Sequence, residues 1–208
     1  MRILLFDNHD SFTWNLAHEI ERVDSGADVV VMRAEEMPEV DAISEFISGF
    51  DAVVLSPGPG MPAEAPLLME VLDIAIECSK PVLGVCLGLQ AIVEHFGGEL
   101  DNLEDVLHGR TTMMNWVGEG KPSGVFAGIE FPCQVGHYHS WVASEDGFPE
   151  ALIVEAQNDQ GLIMAIRHSS LPVLGFQFHP ESILTPDGRN MLQAWLTYAC
   201  SSPLQTSA

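Results

Sequence analysis

Basic residues are scarce in this chain. Among 208 residues, 8 are Lys or Arg and 30 are Asp or Glu, a formal net charge of −22. An average chain of this length carries roughly 50 charged residues, about half of them acidic, so the anomaly is missing cations more than added anions. Without a basic surface to meet the phosphate backbone, no nucleic-acid partner is expected. An anionic membrane surface is disfavoured on the same grounds. The acidity itself fits a salty habitat, steering of a basic partner, or a solvated surface with no specific task.

Other absences narrow the class further. Cys78, Cys86, Cys133 and Cys200 show no CxxC spacing and no histidine partners at ligand spacing, so neither a metal site nor a redox dithiol is supported. The apolar run from Met1 to Phe6 is too short for a signal peptide, and no run approaches a membrane span. Reduced thiols without an export signal lead to a cytoplasmic expectation. There is no internal repeat, and the length suits one domain, taken as 1–200 with a polar tail from Ser201 through Ala208.

What is present begins with alternation. Arg2 to Phe6 reads as a buried strand, and Asp10 or Ser11 can cap a helix running to about Val23. Ala27–Arg33, Ala52–Leu55 and Pro81–Val85 read as further strands, with helices over Val40–Phe50, Ala63–Ser79 and Leu87–Phe96. Strands alternating with helices predict parallel βαβ units covered on both faces. After Gly98 the character changes. Gly109 to Gly124 reads as a hairpin or flap, followed by short strands at Gln134–Val142, Ala151–Gln157, Leu162–His168 and Val173–Phe178. Gly188–Cys200 reads as an amphipathic helix. The expected fold is α/β: a central, mostly parallel sheet flanked by helices, with a smaller antiparallel strand region in the C-terminal half.

One stretch organises this alternation. Gly84-Val85-Cys86-Leu87-Gly88 is the G-x-S-x-G nucleophile-elbow pattern with Cys in place of Ser, set between a strand and a helix. The glycines permit a sharp turn, and the helix N-terminus favours thiolate over thiol. A free cysteine is also a common small buried residue, so the pattern alone leaves both readings open. Asp7, the Ser56 loop and Cys86 all fall at carboxyl ends of strands, where parallel sheets gather reactive groups.

Two more segments bear on the choice. In Ser56-Pro57-Gly58-Pro59-Gly60 the prolines lack N–H groups, leaving Gly58 and Gly60 as donors on a stiff loop. That inventory suits an oxyanion hole as well as a tight turn. In Phe178-His179-Pro180-Glu181-Ser182, Pro180 biases His179 toward extended geometry at the end of a strand. Residues two apart then share a side, so Glu181 can reach one imidazole nitrogen while the other faces a nucleophile. His137 and His139 share a strand face without a third ligand. His9, His18, His95, His108 and His168 have no suggestive context.

Together these residues resemble the signatures of class I, triad-type glutamine amidotransferases. More narrowly, Asp7-Asn8-x-Asp10-Ser11-Phe12-Thr13, His108-Gly109-Arg110-Thr111, Tyr138-His139-Ser140 and His179-Pro180-Glu181-Ser182-Ile183-Leu184-Thr185 are similar to amidotransferase subunits of anthranilate and aminodeoxychorismate synthases. The similarity runs from about Ile3 to Leu196. It implies a class I amidotransferase-like fold and hydrolysis of L-glutamine, with ammonia passed to a separate chorismate-using synthase subunit. Cys86 would be the nucleophile, His179 the base, and Glu181 the residue that orients it. Gly58 and Leu87 would form the oxyanion hole. Gly58, Pro59, Gly60, Gln90, Ser140 and Trp141 would bind glutamine. Asp10, Ser11 and His108 would meet the partner. No cofactor or metal is implied on this chain, with magnesium expected on the synthase partner.

Two departures stand out: Leu89 where relatives carry His, and Trp141 where they carry Leu. Arg110 for Lys and His137 for Arg are milder. A hydrolase of other γ-glutamyl compounds and a non-catalytic regulatory relative remain as other readings.

Overall fold

The computed structural model describes residues 1–201. In chain order the elements are β1 (Arg2–Asp7), α1 (Thr13–Val23), β2 (Asp28–Arg33), α2 (Val40–Ser48), β3 (Ala52–Leu55), α3 (Pro66–Glu77), β4 (Val82–Val85) and α4 (Leu87–His95). They continue with β5 (Leu100–Trp116), β6 (Cys133–Ala143), β7 (Leu152–Asn158), β8 (Ile163–His168), β9 (Val173–Phe176) and α5 (Gly188–Ser201). The strands form one nine-stranded sheet in the order β2-β1-β3-β4-β9-β8-β7-β5-β6. From β2 to β9 neighbours are parallel, and from β9 to β6 they are antiparallel. The α/β expectation and its antiparallel C-terminal region therefore hold, as two halves of a single sheet.

The apolar strands are continuous because both faces are covered. Along β1, Ile3 and Leu5 pack with Leu16 and Ile20 of α1 and Trp195 of α5. Leu4 and Phe6 point the other way, onto Ile43 and Ile47 of α2, Leu68 and Leu72 of α3, and Ile92 of α4. Full burial of such a side chain stabilises by about 1.5–3 kcal/mol. Among the parallel strands β2 is the exception: it is one edge of the sheet and is only half buried.

Four local expectations need correction. The segment from Gly109 to Gly124 is not a hairpin. Its first half belongs to the 17-residue β5, which pairs with β6 and, at its end, with β7. Gly109, at φ +64°, sits at a register shift between His108 and Arg110, so this glycine marks a bulge and not a turn. The last strand stops at Phe176; beyond it the Gln177 N–H still reaches Met164 O in register with β8, and the His179 N–H then turns to Gly136 O of β6. Helix α1 begins at Thr13 with Phe12 as its cap residue. Asp10 instead accepts the Phe12 N–H at 2.7 Å, and buried Asp7 takes the Thr13 hydroxyl at 2.7 Å, which tightens the turn by a residue. Ser201 belongs to α5 and donates its hydroxyl to Thr197 O. The rest of the expected tail, 202–208, lies outside the described residues.

Candidate active site

The carboxyl ends of β3, β4 and β9 deliver three segments to one cleft. Cys86 follows β4 and precedes α4, with φ +53° and ψ −100°. This conformation is sparsely populated for a residue with a side chain and costs on the order of 1–3 kcal/mol. The strain therefore falls on the cysteine itself. The flanking glycines serve a different purpose from the one expected, since neither has a positive φ. A Cβ on Gly84 would stand 2.4 Å from the Gly88 carbonyl, and one on Gly88 would stand 2.5 Å from Leu55 O. They are glycines because α4 must pass this close to β4 and β3. The elbow is held by the Cys86 N–H donating to Phe176 O at 2.7 Å.

The loop after β3 is wedged beside the elbow. A Cβ on Gly58 would meet both Asn8 Cβ and Leu87 Cδ2 at 2.6 Å. Asn8 in turn donates its N–H to Ser56 Oγ at 2.9 Å and its amide to Ser56 O at 3.1 Å, which fixes the loop to β1. Leu87 is the first residue of α4, so its N–H has no acceptor within the helix. Among the described residues the Gly58 N–H has no acceptor either. Two unpaired donors from packed neighbours thus flank Cys86.

His179 and Glu181 lie after β9. His179 Nδ1 and Glu181 Oε1 are 2.6 Å apart, and both side chains are buried. The other nitrogen, Nε2, makes no hydrogen bond among the described residues, and the Cys86 sulfur adjoins the imidazole. Burial alone would lower the imidazole pKa. The adjoining Cys86 sulfur and Glu181 carboxylate reverse that effect and hold it well above its ordinary value. The rings of Phe12 and Tyr138 pack edge-on against the imidazole, with centroids at 5.5 and 5.0 Å.

Gly58, Pro59, Gly60, Cys86, Gln90, Tyr138, His139, Ser140, Trp141 and Val106 line a cleft of about 250 Å³. Every residue expected to bind glutamine is among them. Gln90 Nε2 donates to Trp141 O at 2.8 Å, so the Trp141 substitution leaves this backbone contact intact. Leu89 points into the core, where it packs against Gly175. The expected partner residues gather around the same rim. Ser11 is exposed beside Phe12, and the exposed His108 ring packs on Tyr138 at 5.2 Å. Asp7, by contrast, is committed to Thr13, Asp10 and Arg33. His9 and His95 pair with Glu35 and Asp73 on the exterior.

Sequence reasoning missed Gln177. It is fully buried, and its Nε2 lies 3.6 Å from Cys86 Sγ. The available signal was a lone polar residue between Phe176 and Phe178, two positions before His179.

A thiol at a strand–helix elbow, an imidazole backed by a carboxylate, and two free N–H groups define an α/β protein built for acyl transfer through sulfur. Residues 4–198 match the class-I glutamine amidotransferase family, and the chain belongs to it. It is 38% identical over 194 residues to the aminodeoxychorismate/anthranilate synthase component 2 of Bacillus subtilis, covering 93% of this chain and 95% of that one. It is 43% identical over 187 residues to the anthranilate synthase of Azospirillum brasilense, covering 90% of this chain but 24% of that protein. A solved glutamine amidotransferase from Thermotoga maritima shares the fold, with a TM-score of 0.79 at 14% identity over 97% of this chain and 99% of the other.

Proposed function

We propose that this amidotransferase hydrolyses L-glutamine through Cys86, His179 and Glu181 and supplies the ammonia to a chorismate-using synthase subunit, with anthranilate as the aromatic product. His179 Nε2 takes the thiol proton as Cys86 Sγ attacks the side-chain amide carbon. The Gly58 and Leu87 N–H groups stabilise the tetrahedral oxyanion. The C–N bond then breaks as the nitrogen takes the proton back from His179, which leaves a γ-glutamyl thioester and ammonia. Water adds to the thioester with its proton passing to His179, and glutamate leaves as the thiol re-forms. Glu181 holds the imidazole in the tautomer this sequence needs. Gly58, Pro59, Gly60, Gln90, Ser140 and Trp141 form the pocket for the amino acid.

The observation that carries this reading is the buried 2.6 Å contact of His179 with Glu181, on an imidazole that Cys86 adjoins. The partner is supported by the relatives. One is named a component, and in the other the matching stretch is a quarter of a longer anthranilate synthase. Asp10, Ser11 and His108, at the rim beside Phe12 and Tyr138, form part of the face that meets the synthase. The double name of the Bacillus relative favours a second reading, in which the product is aminodeoxychorismate or one subunit serves both synthases. The mechanism asks for no cofactor on this chain, and magnesium is expected on the synthase partner. Residues 1–200 act as one amidotransferase unit, which the family match over 4–198 supports. No described helix is long and apolar enough to cross a membrane, and with four free cysteines this supports a cytoplasmic setting.

The test combines this chain with a component I synthase, chorismate, glutamine and magnesium, and identifies the product by mass and fluorescence. Cys86→Ala is expected to abolish glutamine-dependent synthesis and leave ammonia-dependent synthesis intact. Glutamine use retained by that variant overturns the mechanism, and glutamate release without a chorismate product overturns the partner.

A further inference from the structure

Three carboxamide and carbonyl groups form a directed chain that ends on the nucleophile. Gln90 Nε2 donates to Trp141 O at 2.8 Å and to Gln177 Oε1 at 3.4 Å. Gln177 Nε2 then donates to Cys86 Sγ at 3.6 Å. Gln90 and Gln177 are 2% and 0% exposed, so water does not compete for these groups.

The orientation of Gln177 follows from the order of the chain. An NH2 group has two hydrogens and no acceptor, so Gln90 can serve Trp141 O and Gln177 Oε1 together. Once the Gln177 oxygen accepts from Gln90, its own NH2 is left facing the sulfur. The backbone fixes the other end, because the Gln177 N–H donates to Met164 O at 2.9 Å.

We propose that Gln177 is a further catalytic residue, donating a hydrogen bond to Cys86 Sγ from an orientation that Gln90 enforces. This deepens the reading of Cys86 as nucleophile and rests on it. Of the described side chains that reach Cys86, His179 can remove the proton, but once protonated it must give that proton to the leaving nitrogen. Gln177 has no proton to exchange and remains a donor throughout. It therefore stabilises negative charge on sulfur before attack and again when the thioester breaks. A hydrogen bond to a charged group inside a protein is stronger than a neutral one, and here it is shielded from solvent. Gln90 thus has two tasks, lining the cleft and aligning Gln177.

The test uses alkylation of Cys86 by iodoacetamide, read by peptide mass spectrometry across pH, with glutamate release measured in parallel. Alkylation involves no glutamine, so it isolates the sulfur from substrate binding. Gln177→Met, of similar length without a donor, is expected to slow Cys86 alkylation near neutral pH by about tenfold and move its pH profile to the alkaline side. Gln177→Glu places an acceptor against the sulfur and is expected to slow it further. Gln90→Met is expected to slow alkylation as well, and the double variant Gln90→Met/Gln177→Met no more than Gln177→Met alone.

Far-ultraviolet circular dichroism confirms which variants are folded. Gln177→Glu, nearly isosteric with the native residue, keeps the test alive where Gln177→Met is not. Wild-type pH profiles in the folded Gln177 variants overturn the proposal, and multiplying losses in the double variant overturn the alignment by Gln90. Glutaminase activity surviving in Cys86→Ala fells the reading of Cys86 and this proposal with it. A dead Cys86→Ala alongside unaffected Gln177 variants fells this proposal alone.

Discussion

His179 Nδ1 and Glu181 Oε1 stand 2.6 Å apart across the single residue Pro180, with neither side chain open to solvent. The chain turns here: Pro180 and Glu181 are the central residues of a turn closed by the Ser182 N–H on His179 O at 3.2 Å, so this turn, and not the extended geometry expected from the sequence, brings the two side chains together. The pair is thus assembled locally, and only Cys86 must be brought from elsewhere in the chain. Replacing Glu181 by Gln keeps the shape but removes the charge that favours the imidazolium. The expected result is a fall in kcat for glutamine hydrolysis of about a hundredfold or more, with KM little changed. Steady-state glutamate release measures it, and a variant with unaltered kcat would remove Glu181 from the mechanism.

Gly88 makes a structural counterpart. Its missing Cβ leaves room for Leu55 O, which would otherwise lie at 2.5 Å, and for Leu55 Cβ at 2.9 Å. Both obstacles belong to a buried central strand and cannot turn aside. Gly88→Ala is expected to destabilise the fold by about 1–3 kcal/mol, a loss of several degrees in Tm. Gly97→Ala is the control. Its φ is +89° but nothing lies within 4 Å, so the cost there is backbone strain alone. Thermal melts of both variants decide whether crowding or backbone conformation fixes the elbow glycines.

The contrast shows what the sequence made legible. The βαβ alternation was readable because two covered faces demand unbroken apolar strands. The site was readable where spacing is local, as in Gly84 to Gly88 and His179 to Glu181. β5 was not readable, because most of Leu100–Trp116 is exposed and carries no apolar period. It exists through its ladder with β6, a non-local pairing, and Gly109 then resembled a turn. Gln177 escaped notice for a related reason: its partners, Gln90 and Cys86, lie 87 and 91 positions away.

His137 and His139 give a pH prediction. Their rings meet at 3.1 Å between Nδ1 and Nε2, and His137 Nε2 reaches the Thr112 hydroxyl at 2.8 Å. Burial, with nearby His179, lowers His137 to a pKa of about 4. Burial, with His137 and His179, lowers His139 to about 3. Unfolded histidine titrates near 6.5, so between roughly pH 6.5 and the folded values the unfolded chain binds more protons. Stability is therefore full above about pH 6.5 and falls as the pH drops toward 4. Urea midpoints across this window are expected to decline in the wild type and to decline less steeply in His137→Gln. Parallel slopes would show that the pair does not carry the acid sensitivity.

The last prediction follows from the missing cations. Of the 8 basic residues, Arg2, Arg22, Arg33, Arg167 and Arg189 are already paired with carboxylates. Buried Lys80 is spent on the Ser48 and Phe50 carbonyls beside the end of α2. Little positive charge remains to offset the 30 acidic side chains, so the folded state confines a large uncompensated negative charge. Repulsion between exposed charges is screened once their spacing exceeds the Debye length, about 10 Å at 0.1 M salt. Raising NaCl from about 0.01 to 0.5 M is therefore expected to raise Tm by several degrees and then level off, with KCl acting alike. Differential scanning calorimetry measures the curve. A flat response would mean that the carboxylates are too widely spread to repel, and the acidity would then have no bearing on stability.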